Sequence, residues 1–201
     1  MGIFHPRIGL RQSADQYTGE GGNVGFISQS GTHAHQFSSV GHLHGIKISK
    51  SISMGNGIVL HVADYLEYLG QDPETDIIGV YIEGLQEGQR FFRVLREVAT
   101  RKPVVLWKAG QTEQGARAVL SHTASMATSA AVWDAVVKQC GAIRADTLDE
   151  LIDTVKGLDH IKPASGLRMG LAATTGGQSA VMADAFGKEG LEVPRLSEKS
   201  Y

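Results

Sequence analysis

The sequence predicts a doubly wound α/β fold, a parallel sheet covered by helices on both faces. Short apolar runs of strand length alternate with stretches whose apolar residues recur at helical spacing, and brief turns join nearly all of them. That alternation implies βαβ units, whose crossover helices bury both faces of a parallel sheet.

Val24-Gly25-Phe26-Ile27 reads as the first strand, ended by Ser28-Gln29-Ser30-Gly31, and Thr32 to Gly41 then reads as a helix. Ile46 to Ser53 is a second strand bounded by Gly55-Asn56-Gly57, after which Leu60, Ala63, Tyr65, Leu66 and Leu69 recur at near-helical spacing. Ile77 to Ile82 is the third, followed by Phe91, Phe92, Leu95 and Val98 on one helical face. Val104 to Trp107 is the fourth, and a loop of about 20 residues, Lys108 to Ala127, leads to a helix from Ala130 to Cys140 stopped at Gly141. Ala142-Ile143-Arg144 is a short fifth strand, and Asp146 with Asp149 is expected to cap a helix bearing Leu148, Leu151, Ile152 and Val155.

This order fits the flavodoxin-like arrangement, in which ligands sit beyond the carboxyl ends of the strands. The loops at 28–31, 53–57, 83–86 and 108–127 are therefore where chemistry is expected. Residues 1–22, without a sustained hydrophobic period, read as an opening segment or linker on the surface, and 23–160 as the domain. Residues 161–166, with Pro163 and Ser165, read as a linker. Residues 167–201 read as the incomplete start of a second flavodoxin-like domain, with a strand at Met169 to Thr174, a turn at Thr175-Gly176-Gly177-Gln178 and a helix at Ser179 to Lys188.

A chain of 201 residues accommodates one good core and a remnant. With 42% hydrophobic and 20% charged residues and a formal charge of -2, it has no excess of cations to meet a nucleic acid. The single cysteine, Cys140, rules out an internal disulfide and fits a reducing compartment. No apolar run approaches the length of a membrane span, and Met1 to Gln12 lack the features of a signal peptide, so a cytoplasmic location is expected.

Near the end of the long loop stands Ser121-His122-Thr123-Ala124-Ser125, before a helix expected to open at Thr128-Ser129. A helix start offers free backbone N–H groups and partial positive charge, which favour a bound phosphate. Ser28-Gln29-Ser30-Gly31 has the same build, so two helix starts are expected to converge on one anion with His122 between them. A histidine that takes up a phosphoryl group needs one unprotonated ring nitrogen and an acceptor for the proton on the other. Glu83, directly after the third strand, is the candidate acceptor. His33, His35, His42 and His44 form two HxH pairs, but residues two apart on a helix diverge, so no metal site is expected there.

Many short pieces, in order across roughly residues 20–160, resemble one family. They include Gly22-Asn23-Val24, Ser28-Gln29-Ser30-Gly31, Gly55-Asn56, Asp64-Tyr65-Leu66-Glu67-Tyr68-Leu69, Asp72-Pro73-Glu74-Thr75, Tyr81-Ile82-Glu83-Gly84, Lys102-Pro103-Val104-Val105, Gly115-Ala116-Arg117 and Ser121-His122-Thr123. Together they look like the succinyl-CoA-ligase-like flavodoxin domain of NDP-forming acyl-CoA synthetases, in particular the ADP-forming acetyl-CoA synthetases. The resemblance implies exchange of acyl-CoA, phosphate and ADP with the free acid, CoA and ATP through an acyl phosphate and a phosphohistidine. His122 then matches the phosphorylated histidine and Glu83 the glutamate that orients it. Ser28, Ser30 and Gly31 match one phosphate cradle, and Thr123 with the turn Ala127, Thr128 and Ser129 a second.

Ala124 and Thr128 stand where the family often has glycine, and an acidic residue common near Ala130 is absent. By the same resemblance CoA is held by a Rossmann domain preceding Met1, making Met1 an interior position, and the nucleotide with Mg²⁺ by an ATP-grasp domain or subunit. The substrate is a small carboxylic acid or its acyl-CoA, the enzyme is an oligomer or fused assembly, and the isolated chain is inactive. The alternative is a non-catalytic acyl-CoA-binding or regulatory ligase-like domain, as in protein acyltransferases.

Overall fold

The computed structural model describes residues 2–123, 129–161 and 165–200, the side chains of His122, Thr123 and Ser200 excepted. It forms two units, Met1–Ile161 and Lys162–Tyr201. In the first, strands β1 (Gly2–Phe4), β2 (Val24–Ser28), β3 (Ile48–Ser53), β4 (Ile77–Ile82), β5 (Val104–Lys108) and β6 (Ile143–Ala145) lie in the order β1-β3-β2-β4-β5-β6. All neighbours are parallel except β1, which runs antiparallel to β3. The parallel part is the doubly wound, flavodoxin-like order expected.

Helices α1 (Gly31–Leu43) and α6 (Leu148–His160) cover one face, burying Phe26, Phe37, Val105 and Leu151. Helices α2 (Val62–Gln71), α3 (Gly88–Ala99) and α5 (Ala130–Cys140) cover the other, burying Ile78, Val80, Leu106, Phe91 and Trp133. The strands are buried along nearly their whole length, as continuous apolar runs in a parallel sheet require.

The opening segment is more than a surface linker. Its β1 edge strand pairs Gly2 with Ser53 and Phe4 with Ser51, and Phe4 is fully buried. Tyr17 packs its ring on Phe4 and His42, and its hydroxyl accepts a hydrogen bond from Ile48 N at 2.7 Å. A strand of three residues is too short to display a hydrophobic period. Gly22 closes the join to β2 where a Cβ would stand 2.1 Å from Lys47 O, a contact that admits glycine alone.

Other boundaries shift for local reasons. Helix α1 runs through Gly41 to Leu43, and the chain turns at Gly45 with φ +90°, a conformation natural to glycine. Ile46 therefore caps the core beneath the helix rather than opening β3. The last helix of the unit is capped one residue later than Asp146: Thr147 accepts from Glu150 N, and the Glu150 carboxylate accepts from Asp146 N. The loop of 108–127 holds a further helix, α4 (Glu113–Thr123), started by Thr112 Oγ1 accepting from Gly115 N at 3.1 Å.

The turn Asp72-Pro73-Glu74-Thr75 proves structural. A register shift between β2 and β3 brings Lys50 toward it, and the buried Lys50 ammonium donates to Asp72 and to Glu74, each at 2.7 Å. Thr75 Oγ1 adds a bond to Asp72, and Lys102 Nζ donates to the carbonyls of Leu69 and Asp72. Burial opposes the charge on Lys50, yet its two carboxylate partners outweigh it and raise its pKa. Burial likewise opposes charge on Asp72, and the bonds from Lys50 and Thr75 reverse it, so its pKa is lowered.

In the second unit Arg168 forms a single parallel bridge with Glu192, and α7 (Gly176–Lys188) is capped by Thr175 accepting from Gln178 N. The expected strand at 169–174 is reduced to the bridge at Arg168, because a lone βα unit supplies so little backbone to pair with.

Lys50→Met is expected to destabilise the protein by about 3 kcal/mol in urea unfolding, since it leaves the Asp72 charge buried without its cation. The depressed Asp72 pKa contributes stability that is present above about pH 4 and lost as pH falls through the lower folded value. The raised Lys50 pKa contributes stability that is complete below about pH 10.4 and lost above the higher folded value. Urea midpoints of the wild type against Lys50→Met across the acid range check this, the gap between them narrowing below about pH 4.

Candidate functional site

Parallel register places the strand ends in one row: Ser53 beside Ser28, Ser28 beside Tyr81, and Tyr81 beside Trp107. The chain leaves each strand at this rim.

After β2, the buried Ser28 hydroxyl accepts from Ser30 N at 3.0 Å and donates to Ser30 O at 2.7 Å, fixing the turn. Ser30 is the N-cap of α1, its hydroxyl accepting from His33 N. The first intrahelical bond runs from Ala34 N to Ser30 O, so the N–H groups of Gly31 and Thr32 precede it and face outward from the helix start. Gly31 is exposed, with ordinary space around it.

After β4, Glu83 is 6% exposed. Tyr81 donates its phenol to the Glu83 carboxylate at 3.3 Å, and burial, with the Glu83 charge and this bond, holds that phenol well above its usual pKa. Gln29 locks the two turns together: its side-chain oxygen accepts from Glu83 N and Gly84 N, and its amide donates to Gly84 O at 2.9 Å. Lys108, at the end of β5 and 3% exposed, donates to the carbonyls of Glu83 at 2.9 Å and Ala109 at 2.7 Å. Burial pushes its pKa down, opposed by the Glu83 charge.

The structure thus brings Ser28, Ser30, Gly31 and Glu83 together at one rim. Helices α1 and α5 lie on opposite faces of the sheet, α1 packing with Phe26 and α5 with Phe91 and Leu106. Ser129 is the exposed N-cap residue of α5 and makes no side-chain capping bond. The backbone of His122 and Thr123 ends α4, while their side chains, together with Ala127 and Thr128, lie outside the described residues.

Gln29, Tyr81 and Lys108 are contributors that sequence reasoning missed as a set. The signals were present: Gln29 sits between two serines in a post-strand turn, and Lys108 closes a buried strand. His33 packs its ring on Tyr81 and Trp107, whereas His35 pairs with Asp15 at 2.9 Å, so the two imidazoles serve different neighbours. Among the described residues no group of three His, Cys, Asp or Glu could hold a metal ion. Chemically, the rim offers a buried carboxylate acceptor next to a helix start able to bind an anion.

Comparison with known proteins gives the relationship. Residues 21–158 match the family described as the succinyl-CoA ligase like flavodoxin domain. The chain is 36% identical over 197 residues to the ADP-forming acetate–CoA ligase I of Archaeoglobus fulgidus, covering 98% of this chain and 28% of that protein. It is 39% identical to the alpha subunit of ADP-forming acetate–CoA ligase II of Pyrococcus furiosus, covering 89% of this chain and 39% of the relative. A solved structure, the dinucleotide forming acetyl-coenzyme A synthetase 1 of Ca. Korarchaeum cryptofilum in complex with phosphate and ADP, superposes with a TM-score of 0.88 at 32% identity, over 98% of this chain and 43% of that one. The chain therefore spans less than half the length of these relatives.

Gln29→Ala removes three bonds between the turns and strands two backbone N–H groups. A loss of about 2 kcal/mol in urea unfolding is expected, against less than about 0.5 kcal/mol for the exposed Gln114→Ala.

Proposed function

The chain belongs to the succinyl-CoA ligase-like flavodoxin domain family, and on that footing we propose that it is the phosphoryl-relay part of an NDP-forming acyl-CoA synthetase. The observation that carries the reading is the buried Glu83 carboxylate, its backbone held by Gln29 and Lys108 beside the Ser30-capped start of α1.

In the proposed reaction, phosphate attacks the thioester carbonyl of acyl-CoA, the C–S bond breaks, and CoA leaves as an acyl phosphate forms. A ring nitrogen of His122 then attacks the phosphorus, the P–O bond to the acyl group breaks, and the carboxylate departs. The phosphoryl group finally passes from His122 to ADP, giving ATP. Glu83 accepts a hydrogen bond from the proton-bearing nitrogen of the ring, which fixes the tautomer and leaves the attacking nitrogen bare. The α1 start, with Ser28, Ser30 and Gly31, steadies the phosphoryl oxygens through backbone N–H groups and its dipole. Thr123, Ala127, Thr128 and Ser129 form the second lip of the phosphate site in this reading.

CoA, the nucleotide and Mg²⁺ are assigned to a Rossmann domain and an ATP-grasp domain or subunit, and residues 167–201 to the opening of a further flavodoxin-like domain. The chain alone is then expected to accept phosphate but to complete no turnover.

Incubation with ³²P-labelled acetyl phosphate is expected to give an acid-labile, base-stable label. His122→Ala should abolish it, and Glu83→Gln should slow its formation at least about 100-fold. A label that survives His122→Ala, or a wild type that takes none, overturns the relay.

A further inference from the structure

An open cleft of about 700 Å³ lies between the opening segment and the first turn of α1, lined among others by Ile3, Leu10, Arg11, Gly31, Thr32 and Ser53. The Ser53 side chain is the unusual member. It is 5% exposed, it ends β3 beside Ser28, and its hydroxyl has no hydrogen-bond partner among the described residues. A buried hydroxyl without a partner costs free energy, so one facing a cleft marks a place where a ligand oxygen supplies the missing bond. A Cβ on Gly31 would stand 3.6 Å from Ser53 Oγ, so the buried hydroxyl lies directly against the first residue of α1.

The cleft is far larger than one phosphate needs, and its walls are divided. The first-turn N–H groups of α1 lie at one end, and Ile3 and Leu10 expose apolar side chains to it, 48% and 44% accessible. Arg11, whose guanidinium donates to Ala14 O, adds a cation at the rim. An amphiphilic acid matches that division: its anionic end toward the helix start and its carbon chain along the apolar wall.

We propose that this cleft is the acyl subsite. It receives a small carboxylic acid or its acyl phosphate, with Ser53 Oγ donating to the carbonyl oxygen and Ile3 and Leu10 against the chain. The proposal rests on the phosphoryl-relay reading and adds to it the group that recognises the acyl end. Ser53 makes no bond to the phosphate in this arrangement, so phosphate and acyl recognition separate by residue.

The test is an NMR titration of the ¹⁵N-labelled 201-residue chain with acetylphosphonate, an analogue that cannot transfer its phosphorus, and separately with inorganic phosphate. Acetylphosphonate is expected to shift the amides of Ser53 and Thr32. Ser53→Ala should weaken it about five- to tenfold while leaving inorganic phosphate within about twofold. Gly31→Ala, whose methyl fits at ordinary contact distance, should weaken acetylphosphonate similarly by crowding the approach to the hydroxyl, and the spectra of both variants report their folding. Acetylphosphonate affinity unchanged in Ser53→Ala, or shifts that bypass Ser53, overturns the acyl subsite. The labelling of His122 is an independent readout: if label forms while Ser53→Ala binds normally, the subsite falls and the relay stands. Ser53-dependent binding without label upholds the cleft as a ligand site and overturns the relay.

Discussion

The rim of the sheet depends on one constraint, the parallel register that sets Ser53, Ser28, Tyr81 and Trp107 side by side at the ends of their strands. Side chains alternate along a strand, so slipping one strand by a residue would send its member of this row to the opposite face. The register is protected from below. Lys50, Asp72, Glu74 and Thr75 knit β3 to the turn before β4 through buried charge-assisted bonds, and the opening strand closes the edge on which Ser53 lies. Groups far from the rim thereby decide which side chains meet there.

On that row the polar groups have divided duties. Gln29 ties the turn after β2 to the turn after β4 by three bonds, and Lys108 ties the latter to β5 through the Glu83 carbonyl. Both act on the backbone of Glu83, whose carboxylate accepts from Tyr81 instead. A buried lysine held by carbonyls loses much of its hydration. The nearby Glu83 charge offsets part of that loss, so the two side chains are coupled although Lys108 donates to the Glu83 main chain.

Much of the fold was legible from the sequence because parallel strands buried on both faces leave unbroken apolar runs, as Ile77 to Ile82 does. What stayed hidden had little pattern to display. The β1 strand is three residues long, α4 is a polar helix inside a segment rich in small residues, and the cap at Thr147 competes with acids on either side. At the site, Glu83 was legible by position after a strand, and Ser28 to Gly31 by composition. Gln29 and Lys108 were legible only as polar residues closing a strand and its turn, since their role is to bond main-chain groups that only the folded topology brings near. The same holds for Ser53, whose significance is a hydroxyl left without a partner among the described residues in a packed environment. The Asp72 to Thr75 turn points the other way, since a stretch that carried part of the resemblance here holds the floor of the sheet.

In the proposed relay the Glu83 carboxylate fixes the His122 ring for attack on phosphorus, and ¹⁵N NMR of the imidazole nitrogens reads that tautomer without any intervening step. Histidine-labelled wild type and Glu83→Gln are compared near neutral pH. One dominant neutral tautomer is predicted for His122 in the wild type, and a mixture of tautomers in the variant. Identical ring shifts for His122 in the two proteins would contradict the assignment.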